Sequence, residues 1–521
     1  MAKFMNRETP EREAVIVGAG LSGIAFAIAL TVECGIENLE ILEASNEVGG
    51  TWQFNHYPGL AVDIPSVVYQ LKSDLNPSWS RLFAPGHEIW EYCKHVVEKR
   101  NLRSKIRFNT RVIEARFDVE NDLWRLRLEN GRELTTRFVI PATGGLTKPR
   151  LPDIPGVGTF EGTTVHTAEW DDTLDLTGKR VAVIGTGATA VQLVPTIASV
   201  ADRLDVYQRT PIWVLPKYDP ELTWIRKVFE VVPGAQRLAR WMAAAAFEPA
   251  ALAISYYRQF PQLIKAAERL CLRNLEKQVP DDAELRARLT PRYGFGCKRP
   301  TTSNAYFSTF TRPNVELVTD GIAEITATGI RTRDNVHREI DVLILATGYF
   351  AFDLENEPFP VIGSEGDRLF ELWDKHRYRA YQGSTVPGFP NLFLSFGPYL
   401  VPGLSILFGT ELAAKHASRI INETRRRSAT RVEVRRPAHA AHFDMTMRRQ
   451  ESTLFFNGAC EGSNSYYFDR HGDAPLVRPG GSLAAYLSVR AARVNNYRYS
   501  NIHRTPGSPS IELPLDSSAL S

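Results

Sequence analysis

Two glycine-rich turns, each set between a β-branched run and an apolar helical stretch, fix the architecture open to this chain. The first, Gly18-Ala19-Gly20-Leu21-Ser22-Gly23, follows Ala14-Val15-Ile16-Val17 and leads into Ile24 to Leu30. The second, Gly185-Thr186-Gly187-Ala188-Thr189-Ala190, follows Arg180-Val181-Ala182-Val183-Ile184. Short Val/Ile runs suit strands buried on both faces, and strand, glycine turn, helix is the order of a dinucleotide-binding βαβ unit. Gly18 and Gly185 permit the tight turn, and Gly20 and Gly187 let the backbone approach a pyrophosphate. Gly23, with Ala190 as its counterpart, allows close helix packing. The helix N-termini, with Thr189 in the first turn of the second, supply N–H groups and a positive dipole end. The reading is α/β: two interleaved Rossmann-like dinucleotide-binding domains with a helical insertion.

The strands that follow each turn distinguish the two ligands. Leu39 to Leu42 ends at Glu43, where an acid would accept ribose hydroxyls, so the first unit reads as an FAD site. Leu204 to Tyr207 ends instead at Gln208-Arg209-Thr210. A guanidinium there suits a 2′-phosphate through charge-assisted bonds, so the second unit reads as an NADP site. Glycine turns also arise for structural reasons alone, and Arg209 as a solvated cap on a sheet edge stays open beside the phosphate reading.

At 521 residues the chain exceeds a single core. The proline-rich stretch Lys148 to Gly156 reads as a linker, and Ala142-Thr143-Gly144 and Ala346-Thr347-Gly348 read as paired crossings between domains. The expected division is residues 1–147 and 381–500 for the FAD domain, 148–217 and 296–380 for the NADP domain, 218–295 for the helical insertion, and 501–521 for a disordered tail. The 62 basic and 59 acidic residues leave a net charge of +3, no case for nucleic acid, and the Arg425–Arg427 run with Arg431, Arg435 and Arg436 reads as a solvated face. The five cysteines, Cys34, Cys93, Cys271, Cys297 and Cys460, are scattered without a CxxC pair. That argues against a disulfide reductase and, with the polar start Met1 to Arg12, for a cytoplasmic protein. Nothing has metal-ligand spacing. The apolar region Trp241 to Tyr257, interrupted by Glu248-Pro249, is too short to span a bilayer and reads as a buried or substrate-lining helix.

Neither nucleotide unit needs Phe160-Glu161-Gly162-Thr163-Thr164-Val165-His166-Thr167-Ala168-Glu169-Trp170-Asp171 in order to fold. This string resembles the FxGxxxHxxxW[PD] signature of Baeyer–Villiger monooxygenases. Gly49-Gly50-Thr51-Trp52, Tyr57-Pro58-Gly59 and Asp63 resemble a second pattern of that family. With the two turns, the likeness runs from about Ala14 to about Gly397. It implies an enzyme using FAD and NADPH to insert one atom of O2 beside a ketone carbonyl, by way of a peroxide at flavin C4a, giving an ester or lactone. It implies that Arg299, in Gly296-Cys297-Lys298-Arg299-Pro300, and Asp63 are catalytic, that Lys298 joins Arg209 and Thr210 at the 2′-phosphate, and that Trp52 and Tyr69 lie at the flavin. For Trp52 and Tyr69 a core role is the alternative, and for Arg299 a structural ion pair. His166, beside the linker, fits domain positioning better than proton transfer. Relatives carry Cys-x-Ser-Trp-Tyr late in the chain, whereas here Ser465-Tyr466-Tyr467 follows Cys460 without the tryptophan. Two other readings stay open: a flavin monooxygenase acting mainly on sulfur or nitrogen, and an uncoupled NADPH oxidase releasing peroxide.

Overall fold

The computed structural model describes residues 8–403 and 405–501, so the expected tail beyond Asn501 lies outside the described residues. The first turn connects β1 (Arg12–Val17) to α1 (Leu21–Cys34), followed by β2 (Leu39–Leu42). A short α2 (Thr51–Phe54) and the longer α3 (Gly86–Lys99) precede β3 (Ile106–Arg107), β4 (Val112–Asp118), β5 (Leu123–Leu128) and β6 (Glu133–Pro141). These strands form one seven-stranded sheet in the order 361–362, β4, β5, β6, β1, β2, β3. The side-chain alternation of β1 explains its continuous apolar run. Ala14 and Ile16 pack with α1, while Val15 and Val17 pack on the other face with Trp124 and Leu126.

The second unit comprises β7 (Thr163–His166), β8 (Arg180–Ile184), α4 (Ala188–Ile197) and β9 (Arg203–Tyr207). With Val315–Val318 and Val342–Leu345 they make a five-stranded, wholly parallel sheet in the order 315–318, β9, β8, 342–345, β7. In both sheets the strand before the glycine turn has its sequence successor on one side and a later-arriving strand on the other. That is the switch point where a crevice opens at the carboxyl ends. Between β9 and the final strands, α5 (Arg226–Val231), α6 (Ala235–Ser255), α7 (Pro261–Gln278) and α8 (Ala283–Leu289) form the helical part.

Two expectations need correcting here. The chain rejoins the first sheet before residue 381: Val361–Ile362 pairs with Ala115–Arg116, and Phe359, Leu369 and Trp373 pack in that sheet's core. The linker signals mark where the chain leaves a sheet, whereas a two-residue edge strand carries no pattern of its own. The helix expected over Trp241 to Tyr257 is buried only at Ala251, Ala253, Ile254 and Ser255, while Trp241 is 69% exposed. The two crossings run side by side, with the Arg150 N–H bonded to the Gly348 carbonyl at 2.8 Å and Phe350 N–H to the Lys148 carbonyl at 3.2 Å.

Candidate active site

Each glycine turn is shaped for a ligand that passes over it. Gly18 and Gly185 have φ of +109° and +122°, and a Cβ on either would strike the carbonyl of Ala142 or Ala346 on the neighbouring strand. A Cβ on Gly23 would run into the Gly18 carbonyl, so this glycine sets the depth at which α1 seats against the turn. Gly20 and Gly187 are the residues before the first helical positions, with Gly50 Cα 3.6 Å from a Cβ at Gly20 and nothing within 4 Å of one at Gly187. The open space at Gly187, above a helix N-terminus, is what a pyrophosphate needs, while at Gly20 the Gly50 backbone closes one side. Glu43 is buried beyond β2; its carboxylate accepts the Ala19 N–H at 2.7 Å and the Ser45 N–H at 2.8 Å. With the Ser45 hydroxyl also donating to it at 2.9 Å, it fixes the turn and keeps about one of its four acceptor sites for a ribose.

At the second turn the cations gather. Lys298 is partly buried, and desolvation, then the neighbouring Arg209 charge, pushes its ammonium down to about 8. Two cations drawn together in this way suit a dianionic phosphate. Thr210 accepts a bond from Thr186 Oγ1 through its carbonyl at 2.7 Å, and from Asn464 Nδ2 through its hydroxyl at 3.1 Å. Thr189 stands in the first turn of α4, near the Tyr57 hydroxyl.

Close to Tyr69, which feels both charges, sits a paired arginine and aspartate. Arg299 Nε donates to Asp63 Oδ2 and Arg299 Nη2 to Asp63 Oδ1, both at 2.6 Å, a bidentate fork between residues 236 apart in sequence. Burial opposes the cation, but Asp63 outweighs it and holds the guanidinium pKa well above its usual value. The Asp63 segment is itself seated on the second domain. Gly59 packs against the Gln192 backbone of α4, the Tyr57 hydroxyl donates to Gln192 Oε1 at 3.0 Å, and Gln192 Nε2 donates to the Ala61 carbonyl at 2.9 Å. Tyr466 and Tyr467, 4.9 Å apart by ring centroids, face the Arg299 charge from the late loop, and burial raises both phenols. Trp52 Nε1 donates to the Tyr69 hydroxyl at 3.2 Å, and burial pushes that phenol up to about 12.

His166 stands apart from this pair. It ends β7, buried, accepts the Ala168 N–H at 3.1 Å, and lies edge-on to Tyr349 of the return crossing. Burial lowers its pKa, so it is a neutral structural contact near neutral pH. A cleft of about 950 Å³ borders Trp52, His56 to Ala61 and Trp90, on the segment that leads into Asp63, but neither Asp63 nor Arg299 itself. Sequence reading missed Gln192 and Asn464. Gln192 lies one helical turn beyond Thr189, a spacing that could have marked it; Asn464 carries no comparable signal. The scattered cysteines also need correcting: Cys297 and Cys460, 163 residues apart, form a disulfide, because the fold brings the 294–299 segment beside the 459–467 loop. Among the described residues there is no group of three metal-ligating side chains and no helix long and apolar enough to cross a membrane.

Residues 11–223 match the family model of flavin-binding monooxygenase-like proteins. A Baeyer–Villiger monooxygenase of Pseudomonas aeruginosa is 37% identical over 86% of this chain and 84% of its own length. A Baeyer–Villiger monooxygenase of Streptomyces coelicolor is 34% identical over 93% and 92%. The solved structure of OTEMO in complex with FAD and NADP superposes with a TM-score of 0.82 at 27% identity, covering 95% of this chain and all of the other. An oxidised steroid monooxygenase bound to NADP gives 0.80 at 29% identity over 94% and 99%. With more than a third of positions identical across most of both chains, and the ion pair and both turns in place, this chain belongs to the Baeyer–Villiger monooxygenase family.

Proposed function

We propose that this chain binds FAD at the first turn and NADPH at the second, and converts a ketone, O2, NADPH and a proton to an ester or lactone, NADP⁺ and water. The observation that carries the reading is the Asp63–Arg299 fork, held on a segment seated against the helix that leaves the second turn. When bound, the cofactors supply hydride transfer and oxygen activation. Asp63 locks the guanidinium in one orientation and keeps it charged at every working pH. Arg299 then offers fixed donors to an oxygen anion developing at the carbonyl, without reorganisation at the moment of reaction. Lys298, Arg209 and Thr210 hold the 2′-phosphate, and Glu43 orients the FAD ribose. Tyr466 and Tyr467 wall the face beside Arg299, so they bear on which ketone fits. The domains divide near the paired crossings at 148–150 and 348–350, and the protein works in the cytoplasm.

The test is a panel of ketones and sulfides presented to the FAD-loaded enzyme with NADPH, with products weighed by mass spectrometry. Gain of one oxygen by ketones, with ester products, is expected. Oxygen gain by sulfides alone would overturn the reading.

A further inference from the structure

We propose that Cys297 and Cys460 are a reversible thiol–disulfide site whose closed form positions the Lys298–Arg299 segment and the Tyr466–Tyr467 loop against each other, so that the redox state of this pair sets NADP(H) affinity and the coupling of oxygenation. The proposal rests on the function above for its catalytic consequence. The two Cα atoms are 5.2 Å apart across 163 residues of sequence. Cys297 immediately precedes the two cations, and Cys460 opens the loop that reaches Thr210 through Asn464 and faces Arg299 through Tyr466 and Tyr467. Beside the sulfur bridge, the segments share one backbone bond, Gly294 N–H to the Ala459 carbonyl at 2.7 Å, and an apolar cluster of Phe295 with Leu454, Phe455 and Tyr467, so the bridge sets their register within a contact that already exists. The bridge therefore ties the phosphate-binding cations, the catalytic arginine and the tyrosine wall together at one place.

Selectivity follows from the surroundings. Burial pushes Cys93 and Cys271 thiols up to about 12 and raises Cys34, so these three stay protonated and unreactive near neutral pH. Cys460 is itself buried at 8% exposure but is followed by the exposed Glu461 and Gly462, whereas Cys297 is 0% exposed, so a local opening of the 460–462 loop uncovers Cys460 first. Opening begins when one thiolate of a dithiol reductant attacks Cys460 Sγ; the S–S bond breaks and Cys297 leaves as a thiolate that takes up a proton. The second thiol of the reductant then displaces Cys460, which is protonated in turn, and the reductant leaves as its own disulfide with two electrons passed to the protein. Closing uses hydrogen peroxide: Cys460 thiolate attacks one oxygen to give a sulfenic acid, Cys297 displaces it, and two thiols plus one peroxide become the disulfide and two waters.

The experiment uses FAD-loaded full-length enzyme split into peroxide-oxidised and phosphine-reduced halves, with the bond scored by non-reducing peptide mapping. NADP⁺ affinity is measured by calorimetry, and ester formed per NADPH consumed is read on the same samples. Reduction should weaken NADP⁺ binding ~10-fold or more, as expected when a positioning segment shifts by about an ångström, and should divert NADPH to peroxide. Re-oxidation should restore both, which a merely structural cross-link lost to unfolding would not do. Cys460→Ser should behave as the reduced enzyme and ignore phosphine; should that variant fail to fold, the wild-type cycle still decides. No linked peptide after peroxide, or equal NADP⁺ affinity and coupling in the two states, overturns the proposal. If no ester forms in either state while NADP⁺ affinity still cycles with the bond, the clamp stands and the ketone reading fails.

Discussion

A guanidinium held by two short bonds is a device for placing charge, and the residue-scale predictions concern charge. Arg299→Ala is expected to retain FAD yet lose ester formation by ~10² or more, the scale of removing one preorganised oxyanion donor. Lysine should rescue little because it lacks the planar fork. Stopped-flow absorbance separates flavin reduction from oxygenation, and near-normal ester yield would remove Arg299 from the chemistry. Arg209→Ala should narrow the preference for NADPH over NADH, since one charge-assisted bond is worth about 1.5–3 kcal/mol; equal kcat/KM for the two nucleotides in the unmodified enzyme would refute the phosphate assignment. Lys298 adds a pH signature. With its pKa lowered to about 8, the free enzyme carries the ammonium below that pH and loses it above, while a phosphate dianion favours the charged form. NADPH affinity should therefore be full below pH 8 and fall as pH rises through it, whereas NADH affinity changes less. Lys298→Met should flatten the difference, as KM ratios between pH 7 and 9.5 will reveal.

At the scale of elements, the two helices that leave the glycine turns make opposite demands on a methyl group. Gly23→Ala forces a Cβ into the Gly18 carbonyl and must shift α1 from its seat, whereas Gly187→Ala points a Cβ into open space. The first should lower Tm and lose FAD; the second should keep Tm and FAD but raise the KM for NADPH, as thermal melts and flavin content will show. Comparable melting for both would mean that the first turn is looser than its contacts imply. The sequence made β1 and β8 legible because strands buried on both faces are apolar through their centres, whereas β2 and β9 carry the buried Glu40 and Asp205, each paired with an arginine, and are legible from their place after the glycine turns. It could not reveal Val361–Ile362 as an edge strand, since two residues carry no periodicity. Nor could it pair Cys297 with Cys460, because that proximity exists only once both sheets are built. Asp63 and Arg299 were legible through local patterns, but the fork joining them is a tertiary fact, 236 residues wide.

Across the whole molecule, the domains meet where Tyr57, Gly59 and Ala61 lie on α4 and where His166 meets Tyr349. His166→Ala removes a buried ring between β7 and the return crossing without touching either glycine turn. It should keep FAD but slow NADPH oxidation and substrate turnover, because domain movement sets the geometry of transfer. Steady-state rates beside flavin content test this, and full turnover would separate His166 from the cycle.

The side-by-side crossings have a consequence for how the protein is made. β1 to β6 emerge from the ribosome by residue 141, but the helix at Ile406–Arg426, whose Ala413, Ala417 and Ile420 cover α1, emerges about 260 residues later. At roughly 5–20 residues per second the nascent first sheet waits on the order of 15–50 s with that apolar flank bare, while the second domain is synthesised and can close within its own loop. Pausing of translation in that interval should expose the flank longer and raise the demand for chaperones, whereas a pause after residue 426 should cost little.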